Sequence, residues 1–428
     1  MFSRRTAWDV TPNRLAQARR HHQSCGRTAL DLTCTNPTAL GLAYEEDFYA
    51  DLFDPRSMAY EYEPFGLDCA REAVATHYYR RRGHRVDAER VCLTASASET
   101  YGHLLALLCD PGDVILVPTP SYPLLDYLAE LARVELVHYP LRYQQTPENS
   151  KNGGHWRVDT EALAALAAHH GDRVRAVVCV APNNPTGSYL TGKELEAIEA
   201  LCCRRDLTLI VDEAFSDFPL YPGPARLGSV VGERECLTFV LSGLAKAAAL
   251  PQFKLAWTVA CGPEELVRPA LARLAPIVDN NHNLSTPVQH ALPAIFAASE
   301  GMQAQIRQRS LANLQLLDAA IDDSPIARLG VEAGWSAILA LPQALPRIGD
   351  LDDEGWVLRM LERCDVWAQP GSLFAMPGRG CHLVLSLLSP PQVFAEGVTR
   401  IVNLAMASSS RRVNSSALAA ASPKAALQ

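Results

Sequence analysis

The sequence predicts an α/β fold: a large domain with a mostly parallel seven-stranded sheet flanked by helices, plus a smaller α+β domain built from both chain ends. Three observations carry this. Seven short, largely apolar runs, at 91–94, 114–117, 134–139, 174–180, 207–211, 237–241 and 255–260, alternate with helical segments in the rhythm of a doubly wound sheet. Two of them, Leu207 to Val211 and Leu237 to Leu241, stop at polar residues, as buried parallel strands do at a ligand-facing edge. After the last run, a helical segment from Met302 to Ile321, the stretch GWSAILALP and a helix over Glu354 to Arg363 read as a second, smaller unit.

Composition sets the outer limits. With 428 residues, 48% hydrophobic and 20% charged, the chain is long enough for two domains, and a net charge of −8 leaves no polybasic surface for nucleic acid. The twelve cysteines are scattered, only Cys202 and Cys203 being adjacent, with no C-x-x-C pair. They read neither as a zinc site nor as a disulfide framework, so no metal is expected and a reducing cytoplasm fits. The start, MFSRRTAWDVTPNRLAQARRHH, is basic but lacks the apolar core of a signal peptide, and no run reaches membrane-spanning length. The expected division is an N-terminal segment 1–45 joining the small domain, a large domain 46–320, a small domain 321–406 and a disordered Ser-, Ala- and Arg-rich tail 407–428.

In chain order, LDLTCTNPT breaks a strand at Asn36-Pro37, where an ordinary turn is the plain explanation. Tyr60 and Tyr62 precede Gly66 and an amphipathic helix; alone they read as packing residues. Ser96, Ala97 and Ser98 stand at a helix start, where free N–H groups and the dipole favour an anion, although serines there are also common caps. Tyr122 sits on a proline-bounded loop at the same sheet edge, placed to stack on a flat ring or to pack in the core. The run from Gly187 to Glu194 nearly matches a phosphate-binding loop, but Glu194 stands where a hydroxyl must hold magnesium, and no G-x-G-x-x-G follows any strand. Asp212 closes one strand and Lys246 follows the next, so both are aimed into one crevice. Pyridoxal phosphate needs that pair: an amine for a Schiff base with its aldehyde, and a carboxylate that keeps its ring nitrogen protonated.

Together APNNPTG, VDEAF and the lysine segment resemble the class I/II aminotransferases of pyridoxal phosphate fold type I, over roughly residues 30 to 405. The resemblance implies Asp212 on the ring nitrogen, Lys246 in the Schiff base, Asn184 on the ring hydroxyl, Tyr122 stacked, and Ser96, Ala97 and Ser98 around the phosphate. Lys254 takes the place of a phosphate-binding arginine, keeping the charge without the bidentate fork. Tyr60 or Tyr62 resembles the tyrosine that reaches a neighbouring subunit's phosphate, which implies a homodimer.

Departures fall beside the cofactor and at the substrate. Gly243 stands where the family has a hydroxyl, with Ser242 one step earlier as a substitute; Phe215 replaces a tyrosine and cannot hydrogen-bond the ring oxygen. The substrate carboxylate's arginine falls at Val384, so either another cation supplies the contact, Arg379 being the nearest in sequence, or the amino donor carries no carboxylate there; Asn36 is the other substrate-side candidate. The implied reaction is amino-group transfer between an amino acid and a 2-oxo acid, with Lys246 and Asp212 catalytic. A C–S β-lyase or a decarboxylase on the same fold is the alternative, because these motifs fix the cofactor and not the bond that breaks. A cofactor-binding regulator is the alternative of another class; the segment before residue 30 is too short for a helix-turn-helix domain.

Overall fold

A computed structural model describes residues 1–44, 46–145, 153–221, 227–281, 284–342, 344–345, 349–377 and 380–419. Its strands are β1 (Leu30–Asp31), β2 (Val91–Thr94), β3 (Val114–Thr119), β4 (Glu135–Gln144), β5 (His155–Val158), β6 (Val174–Val180), β7 (Thr208–Asp212), β8 (Thr238–Gly243), β9 (Ala256–Cys261), β10 (Ala327–Arg328), β11 (Ser336–Leu341), β12 (Ala344–Leu345), β13 (Gly349–Asp350), β14 (Val366–Trp367), β15 (Gln369–Pro370) and β16 (Cys381–Ser386). The helices are α1 (Arg14–Ser24), α2 (Asp68–Ala73), α3 (Ala97–Leu108), α4 (Asp126–Ala132), α5 (Thr160–His170), α6 (Gly192–Arg205), α7 (Leu244–Ala247), α8 (Glu264–Asp279), α9 (Thr286–Ile321), α10 (Asp353–Cys364) and α11 (Pro391–Ala419).

The large sheet runs β2-β9-β8-β7-β6-β3-β4-β5. It holds the seven expected strands and an eighth, β5, which pairs antiparallel with a β4 that extends past Tyr139 to Gln144. From β8 to β4 all pairings are parallel, while β9 is antiparallel to both of its neighbours. Successive residues of β7 belong to different cores: Leu209 and Val211 pack with Val177, Val240 and Trp257, whereas Ile210 packs with Val178, Phe239 and Leu241. Both faces are therefore buried, which is why these strands read as continuous apolar runs instead of alternating ones.

A second sheet, β10-β11-β16-β15, is antiparallel throughout. β1 pairs in parallel with β14, Leu30 opposite Val366, and Leu15 and Leu32 share a core with Trp356, Leu385 and Phe394. α11 runs from Pro391 to Ala419, into the segment expected as a tail. Residues 420–428 lie outside the described residues.

Candidate active site

The carboxyl ends of β7 and β8 open side by side, with Asp212 paired in register with Leu241. β8 then turns directly into the four-residue helix α7, which carries Lys246. Two carbonyls of this turn are tied down: Gln303 on α9 donates to the Ala247 carbonyl at 2.7 Å, and the Tyr44 hydroxyl donates to that of Ala248. The lysine thus projects from a short element braced by neighbours distant in sequence.

Its cavity has a volume of ≈ 620 Å³ and brings together Ser96, Ala97, Ser98, Tyr122, Asn184, Asp212, Phe215, Ser242, Lys246 and Lys254. Asp212 is buried; one carboxylate oxygen accepts from the Ala214 backbone N–H at 3.0 Å, the other from the Tyr101 hydroxyl at 3.2 Å. Burial pushes its carboxyl above the ordinary range, against the pull of those two donors and of Lys246. Burial likewise lowers the Lys246 amine, with Asp212 opposing. The two shifts have opposite signs and one cause, loss of water, which outweighs the attraction between the pair. The Lys246 amine makes no hydrogen bond with any described residue; it lies 5.0 Å from the Trp335 ring centroid and 5.6 Å from that of Phe215. An amine so placed is available to a reactant.

Ser96 caps α3 by accepting from the Glu99 N–H at 3.1 Å, so the first turn of the helix faces the cavity with its backbone donors. Lys254 stands exposed at the rim with φ 49°. Tyr122 is half exposed, its ring 6.2 Å from that of Phe374. Asn184 is 3.5 Å from the Ser336 hydroxyl through its side-chain oxygen.

Two departures seen in the sequence acquire physical reasons. A Cβ built on Gly243 would lie 2.8 Å from the Ala256 Cβ, so the tight β8–β9 approach excludes the hydroxyl residue expected there. Ser242 lines the cavity and hydrogen-bonds the Tyr78 hydroxyl. The Tyr78 hydroxyl donates to Asp217 at 3.0 Å and can therefore only accept from the Ser242 hydroxyl, 3.3 Å away. Asp217 is held in turn by Arg82, at 2.9 and 2.5 Å. Ser242 is thus tied through Tyr78 to the Asp217–Arg82 pair.

Other candidates fall apart from the cavity. Asn36 is exposed and accepts from the Thr38 backbone and hydroxyl at 3.2 and 2.8 Å, capping a turn; its neighbour Thr35 reaches the wall instead. Tyr60 is 76% exposed and stacks on Tyr62, whose hydroxyl donates to the Asp279 carboxylate at 2.7 Å. Val384 is sealed in the core, opposite Ile338 on β11 and Gln369 on β15, and of these Gln369 lines the cavity. Arg379 lies outside the described residues. The sequence reading missed Tyr101, Trp335, Ser336 and Gln369. Only Tyr101 left a signal: it is four residues after Ala97 and so on the same helix face.

Comparison with known proteins gives a consistent family. The family model for aminotransferase class I and II matches residues 54–381. Alanine aminotransferase of Mycobacterium tuberculosis (strain ATCC 25618 / H37Rv) is 28% identical over 385 residues, covering 88% of this chain and 86% of that protein. The glutamate-pyruvate aminotransferase AlaA of Escherichia coli (strain K12) is 27% identical over 286 residues, 67% of each chain. Among solved structures, an alanine aminotransferase from Pyrococcus furiosus superposes with a TM-score of 0.80 over 95% of this chain and 100% of that one, at 20% identity, a likeness of fold alone.

Proposed function

The chain belongs to the class I and II aminotransferases, and from that premise we propose that it is a pyridoxal phosphate-dependent transaminase moving an amino group between an amino acid and a 2-oxo acid. The observation that carries this reading is the convergence of Lys246 and Asp212, from two adjacent parallel strands, on one cavity. The donor set fits the cofactor: an amine without a hydrogen bond to any described residue, a buried carboxylate, and a helix N-terminus with a lysine at the rim.

Lys246 would hold the cofactor covalently, Asp212 its ring nitrogen, Asn184 its ring hydroxyl, and Ala97, Ser98 and Lys254 its phosphate, with Tyr122 over the ring. When bound, pyridoxal phosphate supplies an electron sink for the carbon that carries the transferred amino group. Once the amino group of the donor has displaced it from the cofactor, the freed Lys246 amine would take the proton from that carbon and return a proton afterwards; its lowered proton affinity suits it to start as the base. Asp212 keeps a negative charge inside the cavity, and Phe215 and Trp335 exclude water from the lysine.

Residues 46–320 form the large domain and 1–45 with 321–406 the small one. A homodimer is supported by Tyr60, exposed on a stacked ledge as a residue reaching a second copy would be. A cytoplasmic location is supported by the twelve free cysteines. No described helix is long and apolar enough to cross a membrane.

The test is a half-reaction. Purified protein loaded with pyridoxal phosphate is mixed with a panel of amino donors, and the 2-oxo product and pyridoxamine phosphate are quantified. Stoichiometric formation of both supports the reading, as does loss of covalently retained cofactor in Lys246→Ala. Pyruvate and ammonia without an acceptor would identify a β-lyase instead.

A further inference from the structure

Tyr101 is a buried residue, 2% exposed, to which no role in the reaction has yet been given. It lies about one helical turn beyond Ala97 on α3, the helix whose first turn faces the cavity. Its ring packs with Leu104, Ile210 and Phe239, while its hydroxyl emerges from that apolar layer beside the Asp212 carboxylate, 3.2 Å from one oxygen. The other oxygen is held by the Ala214 N–H. The phenol keeps its proton, since burial and the neighbouring carboxylate both push its ionisation far up; the hydrogen bond therefore runs from Tyr101 to Asp212.

We infer that Tyr101 is a positioning residue: its hydroxyl keeps Asp212 ionised and fixes which carboxylate edge faces the cavity, coupling the helix that opens toward the phosphate end to the acid that meets the ring nitrogen. This rests on the role proposed for Asp212. The physical need is plain. Burial alone drives the carboxyl toward its neutral form, and a neutral acid cannot hold a positive charge on its partner. Three groups oppose burial, of which the Ala214 N–H is fixed backbone and Lys246 is the reactive amine, so only Tyr101 is a side chain dedicated to the task. Glu213, next in the chain, is a buried acid that interacts with Asp212, and it is held largely neutral.

The experiment uses Tyr101→Phe, which keeps the packed ring and removes one oxygen. In cofactor-free protein carrying carbon-13 aspartate, the Asp212 carboxyl resonance, assigned by its loss in Asp212→Asn, is titrated by NMR. Losing a hydrogen bond to a charged group should raise its midpoint by about one to two pH units. In loaded enzyme the acid limb of kcat should move by the same amount, with the alkaline plateau retained within about threefold, since Asp212 ionises there without help. Replacing Tyr101 with 3-fluorotyrosine, a more acidic donor, should shift both midpoints the opposite way and keeps the test open if Tyr101→Phe folds poorly. A midpoint unmoved in both variants overturns the inference, as does a plateau rate that collapses without a shift, the mark of a merely structural ring. Wild-type turnover in Asp212→Asn would instead overturn the role of Asp212 itself, and the NMR shift separates the two failures.

Discussion

Glu213 follows Asp212 directly and is 2% exposed, yet unlike Asp212 it faces away from the cavity. Its oxygens accept from the Ser229 hydroxyl at 2.7 Å and the Val230 N–H at 2.6 Å. Desolvation nevertheless dominates and pushes its carboxyl from the ordinary 4.5 to about 8. Above pH 4.5 the unfolded chain releases this proton, while the folded chain holds it until about pH 8. The folded state then binds more protons, so the stability contribution present below 4.5 is lost progressively as pH rises to about 8. At about 1.4 kcal/mol per pH unit, the full loss is at most about 5 kcal/mol. Glu213→Gln is isosteric, can still accept from Val230 and can donate to Ser229, and never ionises. Its advantage over wild type should therefore be about 1 kcal/mol at pH 5.5 and approach about 5 kcal/mol at pH 8.5. Urea unfolding followed by circular dichroism at pH 5.5, 7.0 and 8.5 measures this. An advantage independent of pH, or a wild type more stable at pH 8.5, would refute the reasoning and show that the two donors hold Glu213 ionised. A neutral Glu213 also spares Asp212 a like charge one residue away.

Removing the acceptor of the neighbouring network by Asp217→Ala strands Arg82 and Tyr78; a loss of about 3 kcal/mol is expected by denaturant unfolding, the lower end for a broken buried pair because 31% of the Arg82 side chain still meets water. Phe215→Tyr offers a hydroxyl donor at the cavity wall and should move the visible-absorbance transition of bound cofactor to lower pH; an unmoved or raised transition defeats the explanation. With Val384 sealed in the core, kcat/KM for an amino acid should exceed that for its decarboxylated amine by less than about tenfold, where a charge-assisted anchor of 1.5–3 kcal/mol would give about 10- to 150-fold. A larger preference that vanishes in Arg379→Ala would identify that arginine as the anchor.

The parts of the site legible in the sequence are those carried by continuous segments. Asp212 and Lys246 each end a buried apolar run or follow it closely, and strand ends converge by topology, so their meeting follows from order along the chain. Tyr101 and Trp335 follow from no such rule. Trp335 stands just before β11 in the second sheet and reaches Lys246 only because that sheet packs beside the large one. The extra strand β5 was hidden for a related reason: HWRV alternates polar and apolar residues over only four positions, too few to register alone, and its pairing with β4 makes it a strand.

Gly243 shows how a sequence departure can be misread without geometry. Set against a family pattern, a glycine in place of a hydroxyl residue reads as a lost cofactor contact, for which the adjacent Ser242 is the natural replacement. The backbone gives another cause: Ala256 on β9 stands where any Cβ at 243 would have to go, so β8 and β9 approach more closely than a side chain allows. The adjacent Ser242 hydrogen-bonds the Tyr78 hydroxyl, which donates to Asp217, itself paired with Arg82. The wall at this point is therefore tied to an ion pair two hydrogen bonds away. On the reading proposed above, the cofactor's phosphate takes its donors from the first turn of α3 and from Lys254, and Tyr101, one turn further along α3, reaches Asp212.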